Sequence, residues 1–283
     1  MASDIVAELH RLTKQVQELR LSNDEHAIRA AVDAFDGCME RYMPVLMSQA
    51  KIYWDMADYT RVEKLFRKSV EFCSENDDWK LNVAHTLFMQ ENKFKEAAGF
   101  YEPLVKKNFD NILEVSAIVL ANLCVCYIMT NQNEEAEELM KKVENEEDAH
   151  LAESDKDERC FHLCIINLVI GTLYCSKGNY EFGIFRVIKA MEPYDKKLGT
   201  DTWYYCKRCM LSMIECMTKH IVSIRDSVLH ECLIFLEQCE VFGKHTPTTA
   251  NGPLDEGQLE GSVSTVTYEA RLLRALLLRI MNC

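Results

Sequence analysis

Two glycines that stand twelve residues apart constrain the fold of this chain more than any other feature. Gly171 and Gly183 both lie in apolar stretches with helical spacing, and the turn signal Lys177-Gly178-Asn179 separates them. Glycine inside a helix costs about 0.5–1 kcal/mol relative to alanine, so two such glycines need a packing reason. We expect two antiparallel helices to cross where the glycines meet, so closely that no side chain fits between them.

The same twelve-residue spacing of small or compact residues occurs three more times upstream, each time with an aromatic residue three positions after the first member. The four crossing pairs are Ala50 with Val62, His85 with Ala97, Cys124 with Ala136, and Gly171 with Gly183. A helix–turn–helix that recurs with one internal spacing resembles a tetratricopeptide repeat (TPR). The predicted fold class is therefore all-α, a TPR α-solenoid with a C-terminal capping helix, in which each repeat packs on its neighbours.

The repeats divide the chain into five predicted segments. Residues 1–42 are expected to form an irregular N-terminal helical hairpin, 43–195 four TPR-like repeats, 196–242 a divergent helical pair, 243–264 a flexible loop, and 265–283 the capping helix. Thr60 and Glu63 predict a capping box at the start of the second helix of the first repeat. The acidic segment 134–158 is expected to be a solvated loop after a repeat, or alternatively a contact for a basic partner.

Charge and apolar patterning bound the function classes. The net charge is −13, and twelve acidic residues with three lysines put −9 of it in segment 134–158. No basic stripe is left to neutralise phosphates, so nucleic acid is not expected as a partner. The most apolar run, 165–175, is far shorter than the roughly 20 residues of a membrane span, and the first residues lack an apolar core segment. We expect no leader and no membrane insertion.

The spacing of the cysteine and histidine residues does not favour a metal site or a nucleophilic catalytic site. The thirteen cysteines are odd in number and scattered, which is typical of a reduced intracellular protein. Cys206 and Cys209 form a CxxC inside one predicted helix, without the second such element that a zinc knuckle needs. Another group of ligand-type residues is Cys160, His162 and Cys164. Core cysteines are favoured in both cases, and nothing singles out Cys175 and His162 as a nucleophile pair. We expect no enzyme activity, no metal and no cofactor.

The first helix of each TPR pair presents a fixed set of positions to the concave face. Here the candidate groove residues are Met47, Lys51, Trp54, Trp79, Asn82, Met89, Ile118, Ala121, Val125, Ile128, Ile165, Leu168 and Cys175. This strip is mostly apolar and lacks the cationic clamp that an acidic peptide terminus requires. An exposed apolar strip is an aggregation liability, so we expect a partner segment to cover it. The alternatives are a superhelix that closes on itself or a last helix that folds back into the groove.

Three long stretches carry a closer resemblance. Residues 44–73, 79–108 and 167–205, together with the last helix from 265, resemble the intraflagellar transport TPR subunit of the fleer type, the seventy-kilodalton member of complex B. The resemblance runs from about Leu9 to the final helix. Members of that family are more than twice as long, so this chain is expected to correspond to the C-terminal half.

The resemblance implies a non-catalytic scaffold that acts in anterograde intraciliary transport and cilium assembly, in the axoneme and basal body region of the cilium. It also implies complex B partners, chiefly a proline-rich segment of the fifty-two-kilodalton subunit, with the kinesin-2 motor as a further candidate, and a link to polyglutamylation of axonemal tubulin. The alternative is a TPR adaptor for other clients, a truncated copy no longer competent for ciliary assembly. Deletion of residues 144–158 is expected to separate the two.

Overall fold

A computed structural model of the chain describes residues 2–22, 25–153, 160–221, 223–248 and 264–281. It divides into two compact units, Met1–Leu104 and Val105–Cys283. Over these described ranges the regular elements are helices, and β-structure is limited to an isolated bridge between Pro247 and Thr265. The all-α, helical-repeat class predicted from the sequence is confirmed. No helix in the described ranges is long and apolar enough to span a bilayer.

The first unit is a series of helices in which each packs on the next. They are α1 (Ala2–Ser22), α2 (Glu25–Asp55), α3 (Tyr59–Cys73), α4 (Asp77–Phe88) and most of α5 (Phe94–Lys107). The N-terminal hairpin is present, but α2 does not end near residue 42; it continues through Pro44 and supplies the first helix of the first repeat. The helical spacing of its buried residues continues across the proline. These residues are Ala31, Cys38, Tyr42, Leu46 and Ala50.

The predicted capping box at α3 is wrong. Asp58 is the N-cap residue, and its side chain accepts a hydrogen bond from the Arg61 backbone N–H at 3.1 Å. The helix therefore begins before Thr60. Glu63 instead accepts hydrogen bonds from other side chains, among them Arg67 at 2.7 Å.

The turns inside three of the helical pairs share one backbone feature. Ala57, Asn131 and Gly178 have positive φ values of 55°, 62° and 80°. Each stands seven residues after the first crossing residue of its repeat. Asparagine and glycine adopt this left-handed conformation readily, whereas alanine pays about 1–2 kcal/mol for it. The common turn geometry shows that these pairs are copies of one structural unit.

The second unit begins with the end of α5, which a 3₁₀ helix (Phe109–Glu114) follows. Its α-helices are α6 (Ala117–Met129), α7 (Asn133–Glu153), α8 (His162–Ser176), α9 (Tyr180–Ala190), α10 (Tyr194–Lys197), α11 (Thr200–Thr218), α12 (Asp226–Phe242) and α13 (Val266–Met281). Helix α6 packs on α7 and α8, and α8 packs on α9 and α11. Helix α13 packs along α12 and also contacts α11. The packing partner of α12 is therefore the last helix of the chain.

The sequence predicted loops at residues 134–158 and 243–264. The expectation of a solvated loop at 134–158 is wrong for its described part, because residues 134–153 continue α7. Acidic residues at the start of this helix face its positive dipole end, which favours the helix. Most of the predicted flexible loop 243–264 lies outside the described residues.

Candidate functional site

The glycines of α8 and α9 approach each other as closely as packing allows. A Cβ atom built on Gly171 would lie 2.9 Å from the Gly183 carbonyl oxygen. A Cβ on Gly183 would lie 2.7 Å from the Gly171 carbonyl oxygen and 2.6 Å from the Cys175 sulfur. Distances below 3.0 Å are essentially never seen for real Cβ atoms. Any side chain at either position would push the two helices apart.

The remaining crossing residues lie in the interior of their units. The buried ones are Ala50, Val62, Ala97, Cys124 and Ala136. His85 is half-buried, and its Nδ1 lies 2.7 Å from the hydroxyl oxygen of Tyr101. Burial lowers the pKa of His85, which favours the neutral ring. A polar pair thus takes the place of the small–small contact in the second repeat.

Part of the candidate groove forms a cleft of about 350 Å³ in the first unit. We call it the first-unit cleft; Met47, Lys51, Trp54, Asn82 and residues of the crossing line it. Trp54 is half-buried and packs edge-on against Tyr59, with ring centroids 5.1 Å apart. The Lys51 ammonium lies 3.0 Å from both carboxylate oxygens of Asp55, so the cation of the cleft is already paired. What the cleft offers a ligand is mainly an apolar, aromatic surface.

A second cleft, of about 580 Å³, lies in the second unit. This second-unit cleft brings together the predicted residues Ile118, Ile165 and Leu168. Sequence reasoning missed its other walls: apolar Phe161, Val169, Leu198 and Tyr205, and polar Lys196, Lys197 and Asp201. Val169 lies on α8 next to the assigned position Leu168, Phe161 precedes α8, and the other walls follow the last predicted repeat, so the repeat spacing assigns none of them. Pro193 was the feature of the sequence that could have predicted these walls, because proline cannot continue α9 and the chain changes direction there.

The prediction of one long exposed apolar strip is wrong. Five of its residues are at most 4% exposed: Trp79, Ala121, Val125, Leu168 and Cys175. The reason is that α6 and α8 are apolar around most of their circumference and have neighbouring helices on more than one side. Trp79 also donates its indole N–H to the Ser69 hydroxyl at 2.9 Å inside the core. Met89 and Ile128 line neither cleft.

Cys175 and His162 do not form the nucleophile pair considered from the sequence. Cys175 and His162 lie thirteen residues apart on one helix, which separates them by about 20 Å. Burial raises the pKa of Cys124 and of Cys126 to about 12, and that of Cys164 to about 11. A reactive cysteine needs the opposite combination of a lowered pKa and access to solvent.

Cys209 has the lowered pKa but not the access. Hydrogen bonding with the Cys175 thiol, and secondarily with the Thr172 hydroxyl, outweighs burial and lowers the pKa of Cys209 to about 7. The Thr172 oxygen lies 3.6 Å from the Cys209 sulfur. Cys209 is 2% exposed, and it lines neither cleft. Its partner in the CxxC, Cys206, is fully buried.

The last helix is fixed to its neighbours by charged groups. Glu269 is fully buried and accepts hydrogen bonds from the Lys207 ammonium at 3.0 Å and the Trp203 indole N–H at 2.6 Å, both on α11. Arg271 and Arg274 form ion pairs with carboxylates of α12. The residues that line the second-unit cleft include none of α13 (Val266–Met281), so the alternative in which this helix fills the groove does not apply to that cleft.

Comparison with known proteins gives one consistent family. Residues 1–283 match the family model described as Intraflagellar transport protein 70 C-terminal domain. Over 282 residues the chain is 62% identical to Intraflagellar transport protein 70A2 of Mus musculus and to Intraflagellar transport protein 70B of Homo sapiens. It is 61% identical to Intraflagellar transport protein 70A of Xenopus tropicalis. These alignments cover 100% of this chain and 42% or 43% of each relative. The chain thus spans about two fifths of the length of the curated relatives it matches.

Proposed function

Since this chain belongs to the intraflagellar transport protein 70 family and matches its C-terminal domain, we propose that it is a non-catalytic binding scaffold of intraflagellar transport. Its relatives are named as transport proteins and not as enzymes. In this proposal the chain grips an extended, apolar and proline-rich segment of a partner subunit. The partner is the fifty-two-kilodalton subunit of complex B.

The observation that carries the proposal is the lining of the second-unit cleft. Phe161 and Tyr205 supply aromatic walls, and Ile118, Ile165 and Leu198 supply apolar ones. Proline-rich segments adopt an extended helix without internal hydrogen bonds and dock in aromatic-lined grooves, because their ordering costs little entropy. At about 580 Å³ the cleft has the size of a typical ligand pocket, enough for a few side chains of such a segment.

The first-unit cleft supports the same mode of binding. Trp54 and Met47 present apolar surface there, and Asn82 can donate to backbone carbonyls of an extended segment. Proline residues leave carbonyl acceptors without matching N–H donors, so a groove with a few side-chain donors suits them. Each cleft can therefore bind a few residues of an extended, proline-rich segment.

The wider role follows from the family and is part of the proposal. The chain acts in anterograde transport within the cilium, in the axoneme and basal body region, and contributes to cilium assembly as a complex B subunit. The kinesin-2 motor is a further candidate partner. The link to polyglutamylation of axonemal tubulin is indirect, through delivery of the modifying enzymes.

The direct test is co-expression of this chain with the proline-rich segment of the fifty-two-kilodalton subunit, followed by capture at low and high salt. Salt weakens attraction between exposed charges, because the Debye length falls from about 10 Å at 0.1 M to about 3 Å at 1 M salt. Apolar contacts are not screened in this way. We expect capture to survive 1 M salt. Failure of a folded chain to capture the segment, or release at high salt, would contradict the proposed binding mode.

A further inference from the structure

Three side chains with metal-ligating groups meet where α7 ends and α8 begins. Glu147 comes from α7, Cys160 precedes α8, and His162 is the first residue of α8. One ligand atom from each lies within 4.8 Å of the other two. The Cys160 sulfur and the His162 Nδ1 are 3.3 Å apart.

His162 and Glu147 are each held in orientation by a further contact. His162 Nε2 lies 2.9 Å from the carbonyl oxygen of Val115, which can only accept, so Nε2 carries the proton and Nδ1 presents its lone pair to Cys160. Imidazoles that bind metals through one nitrogen commonly donate the other N–H to such a carbonyl. Glu147 accepts the backbone N–H of Leu163 at 2.8 Å, which fixes its carboxylate.

The charge of Glu147 supplies a second argument. Its side chain is 5% exposed. In the described part of the chain no lysine or arginine forms an ion pair with it. A buried carboxylate is costly unless a cation compensates it.

We propose that Glu147, Cys160 and His162 bind a zinc ion. Thiolate sulfur, imidazole nitrogen and carboxylate oxygen are the ligand types that zinc takes, usually in tetrahedral geometry. With Zn–S of about 2.3 Å and Zn–N of about 2.0 Å, the tetrahedral sulfur–nitrogen separation is about 3.5 Å, close to that between Cys160 and His162. Binding displaces the Cys160 thiol proton to solvent. The thiolate and the Glu147 carboxylate then balance the two positive charges, and water fills the fourth position.

The position of the site indicates what the ion does. It joins the end of α7 to the start of α8, on either side of residues 154–159, and through His162 it is tied to Val115 just before α6. The bound ion therefore holds the last turns of α7 against the start of α8. Cys164, grouped with Cys160 and His162 from the sequence, is not part of the site; it lies 1% exposed in the core.

The test is titration of the reduced, metal-free chain with Co²⁺, whose thiolate charge-transfer and tetrahedral ligand-field bands report a bound sulfur, followed by displacement with Zn²⁺. We expect one equivalent to bind. Cys160→Ser should abolish the thiolate band and weaken affinity by more than about 100-fold, beyond what loss of an outer-shell partner costs. Cys216→Ser is the matched control, since Cys216 is also half-buried but lies beside Tyr180, outside the site.

Two further variants separate metal binding from folding. Glu147→Gln keeps an oxygen that can accept the Leu163 N–H, and His162→Gln keeps a donor for the Val115 carbonyl. Both should fold without metal, lose at least tenfold in affinity, and lose the rise in melting temperature that Zn²⁺ gives the unmodified chain. An unchanged cobalt spectrum in Cys160→Ser, or an equal loss in Cys216→Ser, would overturn the proposal.

Discussion

The buried charge pair between α11 and α13 gives the sharpest stability prediction. Lys207 is 4% exposed and Glu269 is fully buried, with 3.0 Å between the ammonium and the carboxylate. The carboxylate also accepts the Trp203 indole N–H. Lys207→Met removes the cation and leaves a buried carboxylate with one neutral donor. Glu269→Gln removes the anion but keeps an acceptor for the indole.

The magnitude follows from the cost of an unpaired buried charge. Breaking a buried ion pair by removing one partner costs about 3–5 kcal/mol, whereas replacing both partners by neutral groups is often close to neutral. We therefore expect each single variant to lose about 3–5 kcal/mol. The double variant Lys207→Met/Glu269→Gln should lose much less than the sum, with a coupling energy of at least about 2 kcal/mol.

The assay is thermal and urea unfolding of the two single variants and the double variant, with circular dichroism as the measured signal. For a unit of this size each 1 kcal/mol shifts the melting temperature by about 2–4 °C, so the single variants should melt roughly 6–20 °C lower. Two single variants that each cost under about 1 kcal/mol, with additive effects, would refute the claim that this pair secures the last helix.

Three other predictions test separate parts of the account. Gly183→Ala should destabilise the fold by about 1–3 kcal/mol, because the new Cβ would overlap Cys175 and Gly171. The matched change Gly99→Ala places no atom within 4 Å of the new Cβ and should stabilise the fold by about 0.5–1 kcal/mol. Equal melting temperatures of the two variants would show that the crossing is misplaced. Burial alone would raise the pKa of Glu63, but hydrogen bonds from Lys93, Arg67 and Gln90 lower it from 4.5 to about 2. Because the folded-state pKa is depressed, a stability of about 3 kcal/mol is present above about pH 4.5 and is lost as the pH falls towards 2. Glu63→Gln should therefore make the stability depend less on pH in that window, and an unaltered pH profile would count against the network. Neutralising exposed Glu134 and Glu138 on α7 should leave capture of the proline-rich segment unchanged, and its loss would favour the adaptor alternative. This replaces the deletion of residues 144–158, which would remove part of a helix and the Glu147 contact to α8.

The repeat spacing predicted what depends on local geometry. A twelve-residue interval fixes where two helices of a hairpin cross, and Gly171 and Gly183 stand in direct backbone contact. The left-handed turn residues, such as Asn131 and Gly178, follow from the same interval. Backbone constraints of this kind are local, so a single sequence carries them.

Burial could not be predicted the same way. Val125 and Cys175 occupy groove positions of the repeat pattern, yet neighbouring helices cover them, and that depends on packing between repeats. Packing also explains the two errors in helix bounds. Helix α2 continues past Pro44 because its buried residues keep helical spacing on both sides of the proline. The acidic run forms helix α7 and not a loop because it retains apolar positions, such as Leu139 and Val143, that are buried. The walls of the second-unit cleft after Pro193 come from outside any repeat.

The most direct test of the central claim is calorimetric titration of this chain with the proline-rich segment, comparing Ile118→Glu with Ile234→Glu. The two isoleucines are 41% and 40% exposed, but only Ile118 lines the second-unit cleft. We predict that Ile118→Glu weakens binding at least tenfold, because a carboxylate would replace an apolar contact, while Ile234→Glu binds like the unmodified chain. Equal affinities for both variants would contradict the assignment of this cleft as the binding surface.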